Sequence, residues 1–142
     1  MQRFNSERHQ FGKLGEEEIL PILEVLLGEN LTPTEKLYDV FDAESENYWI
    51  ELKTRTAKYH WSDKCMKEGW LIPKCKIDRA LKEKKKTNFY YYWTSDKSLW
   101  ELEFNPELLE GLICKIPWFH ADKQPHYYFP QELWTEIQIL SS

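Results

Sequence analysis

A chain of 142 residues, 42% hydrophobic and 15% aromatic, can bury one core but not two sizeable ones, so a single domain over 1–142 is expected and a disordered chain is excluded. No apolar run reaches bilayer length and Met1-Gln2-Arg3-Phe4-Asn5-Ser6 lacks the apolar stretch of a secretory signal, so the expectation is a soluble, intracellular protein with no membrane partner. The net charge of -5 argues against bulk electrostatic coating of nucleic acid, yet residues 53–86 hold 12 Lys or Arg against 4 Asp or Glu, a local +8 that leaves -13 elsewhere.

Over residues 5–27, Phe11, Leu14, Leu20, Leu23 and Leu27 recur at helical spacings, with Gly28 as a stop. Pro21 predicts either a kink or a new helix starting near Leu20, because only a first turn can spare the missing donor. Thr32-Pro33-Thr34 breaks the chain. Residues 35–43 and 48–54 then read as strands joined by the polar Glu44-Ser45-Glu46-Asn47, a hairpin. An aromatic, basic and irregular stretch occupies 58–74, and a helix is expected over 76–86. Residues 88–94 form a strand, in which Phe89, Tyr91 and Trp93 alternate with Tyr90 and Tyr92 as core residues. The turn Ser95-Asp96-Lys97-Ser98 leads into a strand over 99–104. Strands over 115–120 and 126–129 and a closing helix over 130–140 complete the chain. The fold class is α/β, a mixed central sheet flanked by helices.

The hairpin carries the chemistry. With its turn centred on Ser45, residues whose numbers sum to 90 face each other, so Asp39 meets Glu51 on one face. Lys53 returns to that face by the period of two, and Ile50 and Leu52 point to the core. Asp42 falls on the opposite face in this register; a slip of one residue would exchange it with Asp39. Two facing carboxylates beside a lysine repel unless a cation lies between them. Hard oxygen ligands suit Mg²⁺ or Mn²⁺, and such an ion activates water against a phosphodiester.

At Asp39-Val40 and Ile50-Glu51-Leu52-Lys53, preceded by a helix with Gly15-Glu16-Glu17-Glu18 and followed by a helix and an aromatic strand, the sequence resembles the PD-(D/E)XK nuclease superfamily. That group includes many restriction enzymes and the archaeal Holliday-junction resolvases. Tyr38 stands where the family has proline, and the region after Phe104 is not covered. The resemblance implies a restriction-endonuclease-like core and a Mg²⁺- or Mn²⁺-dependent endonuclease cutting DNA, structure-specific in the resolvase-type members. It implies Asp39 and Glu51 as metal ligands, Lys53 as the water-orienting cation, and an acidic residue of the first helix, Glu16 or else Glu17, as a further ligand. It also brings a homodimer into view, since nucleases of this size often pair to cut two strands.

The alternatives are a nucleic-acid-binding module of the same fold without catalysis, and an endoribonuclease with RNA as substrate. For nucleic-acid contact, Trp61 and Trp70 stand in the irregular basic stretch beside Tyr59 and His60. Arg55 shares the parity of Lys53. Lys82, Lys84, Lys85 and Lys86 are either phosphate contacts or a solvated helix end. His9 invites comparison with the histidine ligand of viral cap-cleaving endonucleases, although a lone histidine at a polar helix start is usually exposed. Cys65, Cys75 and Cys114 cannot all pair, and with His60 they make no regular zinc spacing, so free thiols are expected.

Overall fold

In the computed structural model, which describes residues 2–34, 41–55, 68–94, 96–117 and 123–138 and the side chains of the first helix from Leu14 on, helix α1 (Gln2–Leu27) runs through Pro21 unbroken. Pro21 is exposed, and the adjoining face of α1 buries Ile19, Leu20 and Leu23 completely or nearly so, which outweighs one lost backbone hydrogen bond. Gly28 ends the helix at a φ of 69°, where its N–H and that of Glu29 both donate to the Glu24 carbonyl.

Strands β1 (Thr32–Pro33), β2 (Ala43–Glu44), β3 (Tyr48–Arg55), β5 (Lys86–Trp93), β6 (Ser98–Glu103) and β9 (Thr135–Ile137) form one sheet in the order β1-β2-β3-β5-β6-β9. β3 and β5 pair in parallel over their whole length, from Tyr48 opposite Lys86 to Arg55 opposite Trp93, and every other pairing is antiparallel. Between β3 and β5 the chain passes through β4 (Trp70–Pro73) and helix α2 (Lys74–Lys82). β4 joins β8 (His126–Phe129) and β7 (Cys114–Lys115) in a second, antiparallel sheet. The protein is thus α/β, with a mixed sheet and two α-helices among the described residues.

Two cores lie on the two faces of the large sheet. Ile19, Leu20 and Leu23 of α1 pack on Ile50, Leu52, Tyr90 and Tyr92. On the other face Ile77 and Ala80 of α2 and the small sheet cover Phe89, Tyr91, Trp93 and Leu102. β5 is buried on both sides, as a central parallel strand should be.

Five expectations change. Residues 70–73 are a strand, and α2 ends at Lys82, so Lys84 and Lys85 sit in the turn before β5. The expected closing helix is a short 3-10 turn (Gln131–Leu133) followed by β9, because the open edge of β6 supplies backbone partners to the β-branched Thr135 and Ile137. The strand expected over 115–120 pairs only at Cys114–Lys115 among the described residues, and Pro117 lacks the N–H to extend it. Trp70 is not a substrate contact: it is fully buried, with ring centroids 5.1 Å from those of Tyr91 and Trp93 and 5.3 Å from Trp134.

Among the described residues no helix is long and apolar enough to cross a membrane. Trp70→Ala should lower the unfolding free energy by about 3–5 kcal/mol in a urea titration, the usual cost of emptying a large aromatic site. Lys82→Ala, at an exposed helix end, should stay within about 0.5 kcal/mol of wild type.

Candidate active site

The hairpin between β2 and β3 has a different centre from the one expected. Ala43 pairs with Ile50, Glu44 with Trp49, and the Ser45 N–H donates to the Tyr48 carbonyl, so the bend lies between Glu46 and Asn47. Glu29, just past the end of α1, fixes it. Its carboxylate accepts from Ser45 Oγ at 2.6 Å and from the backbone and side-chain nitrogens of Asn47 at 3.1 and 2.8 Å, bonds that hold its pKa below the ordinary value. Relative to a turn centred on Ser45, the pairing shifts by an odd number of residues. That exchanges faces, and Asp42 is the aspartate that meets Glu51. Asp39 lies outside the described residues.

Asp42 is held on three sides. Its N–H donates to the Ile50 carbonyl and its carbonyl accepts from Thr34 N–H, both at 2.9 Å. β2 begins only at Ala43, so the Leu52 N–H has no strand partner beyond it; Asp42 Oδ2 takes that proton donor at 2.8 Å. The Asp42 carboxyl lies beside that of Glu51, close enough to raise its pKa.

Glu51 is 2% exposed, on the face of β3 that looks toward α2. Lys53 Nζ lies 3.2 Å from its Oε2, and Lys76 Nζ, from the first turn of α2, lies 3.3 Å from both carboxylate oxygens. Burial dominates the Glu51 carboxyl and pushes its pKa up to about 7; Lys53 pulls it down, Asp42 raises it and Lys76 lowers it. Tyr91, opposite Lys53 on β5, walls the site: its hydroxyl donates to the Leu71 carbonyl at 2.5 Å, and burial raises its pKa to about 12.

The other expected residues divide. Gly15 lies so close to Thr54 that a Cβ would fall 1.9 Å from Thr54 Oγ1, which sets the middle of α1 against the end of β3. Glu16, the next residue, is 7% exposed, and Glu17 is exposed. Arg55 is exposed beyond Lys53, its Nη1 donating to the Thr54 carbonyl at 3.0 Å. Lys82 and Lys84 are exposed. Lys85 is engaged within the chain, 2.8 Å from Glu44 Oε2 and 2.9 Å from the Ser45 carbonyl, and stacked over Trp49 at 4.4 Å. Since Lys86 pairs with Tyr48 and Tyr91 with Lys53, the 84–86 lysines stand at the hairpin end of the sheet, roughly 15 Å along β3 from Lys53. Trp61, His60 and Cys65 lie outside the described residues, as does the side chain of His9. Cys75 and Cys114 are exposed free thiols. Lys76 was not legible, having no parity or motif to set it apart from its basic neighbours.

The neighbouring Asp42 and Glu51 carboxyls are a hard-oxygen donor pair that fits Mg²⁺ or Mn²⁺. Among the described residues no three His, Cys, Asp or Glu are grouped as metal ligands, so water and substrate oxygens would fill the remaining positions. Comparison of the chain with protein-family models, with curated proteins and with solved structures gives no match.

The folded protein holds a proton at Glu51 between the ordinary carboxyl value of 4.5 and about 7, a range in which the unfolded chain has released it. Stability in EDTA should therefore fall as pH rises through that window, by up to about 3 kcal/mol. Glu51→Gln should remove that part of the slope. Parallel urea unfolding at pH 5 and pH 8 reads the difference, and equal slopes for the two proteins would refute it.

Proposed function

We propose that the protein is a metal-dependent nuclease with a restriction-endonuclease-like core, hydrolysing DNA phosphodiesters with Mg²⁺ or Mn²⁺. The observation that carries this reading is the contact of the Asp42 and Glu51 carboxyls with Lys53 Nζ 3.2 Å from Glu51, on a strand paired in parallel with β5 across α2. Asp42 takes the ligand role that a turn centred on Ser45 would have given to Asp39. A divalent cation held by the two carboxylates would polarise a phosphoryl oxygen and lower the pKa of a bound water.

The side chains supply the rest. Asp42 and Glu51 fix the donor oxygens, one through its bond from Leu52 N–H and the other through burial. Lys53, 26% exposed, reaches the mouth of the site, where its ammonium orients water or offsets charge gathered at the phosphate in the transition state. Glu16 stands on the helix that packs against the other row of β3 and is not grouped with Asp42 and Glu51 among the described residues. Arg55, Lys82 and Lys84 offer exposed cations to flanking phosphates.

The test is incubation with labelled single-stranded, duplex and branched DNA and with RNA, each with Mg²⁺, Mn²⁺ or EDTA. Asp42→Ala and Glu51→Ala should abolish metal-dependent cutting while binding persists. Lys53→Ala should slow cutting on the order of 10²–10³-fold, the scale for losing one preorganised charge in a transition state. Asp39→Ala should leave cutting intact. Wild-type protein that binds DNA but cuts nothing, with Glu51→Ala indistinguishable from it, would favour a binding module; cutting confined to RNA would favour an endoribonuclease.

A further inference from the structure

Glu51 receives two ammonium groups where one would neutralise it. Lys53 sits two positions along the same strand, 3.2 Å from Oε2, and Lys76 crosses from α2 to contact both oxygens. The placement of Lys76 is built into the fold. Ile77 and Ala80 seat α2 on the sheet, and the Lys74 N–H at its start donates to the Pro125 carbonyl at 2.9 Å. The Lys76 side chain is 20% exposed against 2% for Glu51, so the carboxylate forms the floor of the site and the ammonium stands at its mouth.

With both carboxyls ionised, the charges of Asp42, Glu51, Lys53 and Lys76 balance. A divalent cation on the carboxylates would break that balance and repel the ammonium groups bound to the oxygens it takes, that of Lys76 on both oxygens among them. A lysine head on a flexible four-carbon stem can swing away without moving its helix. On the nuclease reading above, we propose that Lys76 is a substrate-phosphate ligand of the cleavage site, held on Glu51 in the metal-free protein and released to the DNA when the cation binds. Cation binding and DNA affinity are then linked through one side chain.

The test uses the full chain as wild type, Lys76→Met, which keeps the stem, and Lys76→Arg, which keeps the charge, with thermal melts to establish folding. Calorimetric titration with Mn²⁺ alone should show Lys76→Met binding about three- to tenfold tighter than wild type, because a competitor for Glu51 is gone. Anisotropy of a labelled DNA duplex should show Lys76→Met within about twofold of wild type in EDTA but roughly five- to tenfold weaker in Ca²⁺, with Lys76→Arg restoring most of the loss. Equal weakening in EDTA and Ca²⁺ would make Lys76 a constitutive contact and overturn the release. Unchanged Mn²⁺ and DNA binding in both variants, in a wild type that takes up Mn²⁺ and cuts DNA, would overturn this inference alone and leave a structural ion pair. A wild type that takes up no Mn²⁺ and cuts nothing would overturn the nuclease reading together with it.

Discussion

The burial of one carboxylate organises the centre of this protein. Glu51 lies in the row of β3 that faces α2, flanked across β5 by Phe89 and Tyr91, and an ionised group there is costly unless counter-charge and hydrogen bonds come to it. Two separate parts of the chain meet that demand. β3 itself brings Lys53 and α2 brings Lys76, while the segment before β2 brings Asp42, which pushes the other way. The early end of β2 belongs to the same solution, since a further strand pair would occupy the Leu52 N–H that Asp42 now holds.

The two rows of β3 divide the work. Ile50, Leu52 and Thr54 meet α1, where the absence of a side chain at Gly15 permits near-contact of helix and strand. Glu51 and Lys53 meet the other side, where β5 contributes aromatic rings and no charge. The ionic cluster is therefore walled by rigid, water-excluding groups, a setting in which each electrostatic interaction is stronger than at the open surface.

What could be read from the sequence followed what periodicity encodes. α1, β5 and β8 were legible because long periodic or aromatic runs leave few alternatives, and the parity that sets Glu51 and Lys53 together follows from strand geometry alone. The choice between Asp39 and Asp42 was not legible, because the turn is centred by Glu29 through Ser45 and Asn47, contacts remote in the chain. Trp70 was misread for a similar reason: it lies within a stretch rich in lysine, but its neighbours in space are Tyr91, Trp93 and Trp134. β9 carries only three residues, too few for alternation to speak against a helix, and its conformation is decided by the vacant edge of β6.

The parallel pairing of β3 with β5 also sets an order of events. Tyr48 and Lys86 are far apart in the chain, and the loop between them must close before any of the eight pairs that reward closure can form. The β2–β3 hairpin and α1 are local and can organise early; Lys76 reaches Glu51 only when the crossover docks. During synthesis, Asp42, Glu51 and Lys53 will have left the ribosome well before the strand that buries Glu51, whose carboxyl is until then hydrated and ordinary in acidity. Its unusual electrostatics therefore require the docked crossover.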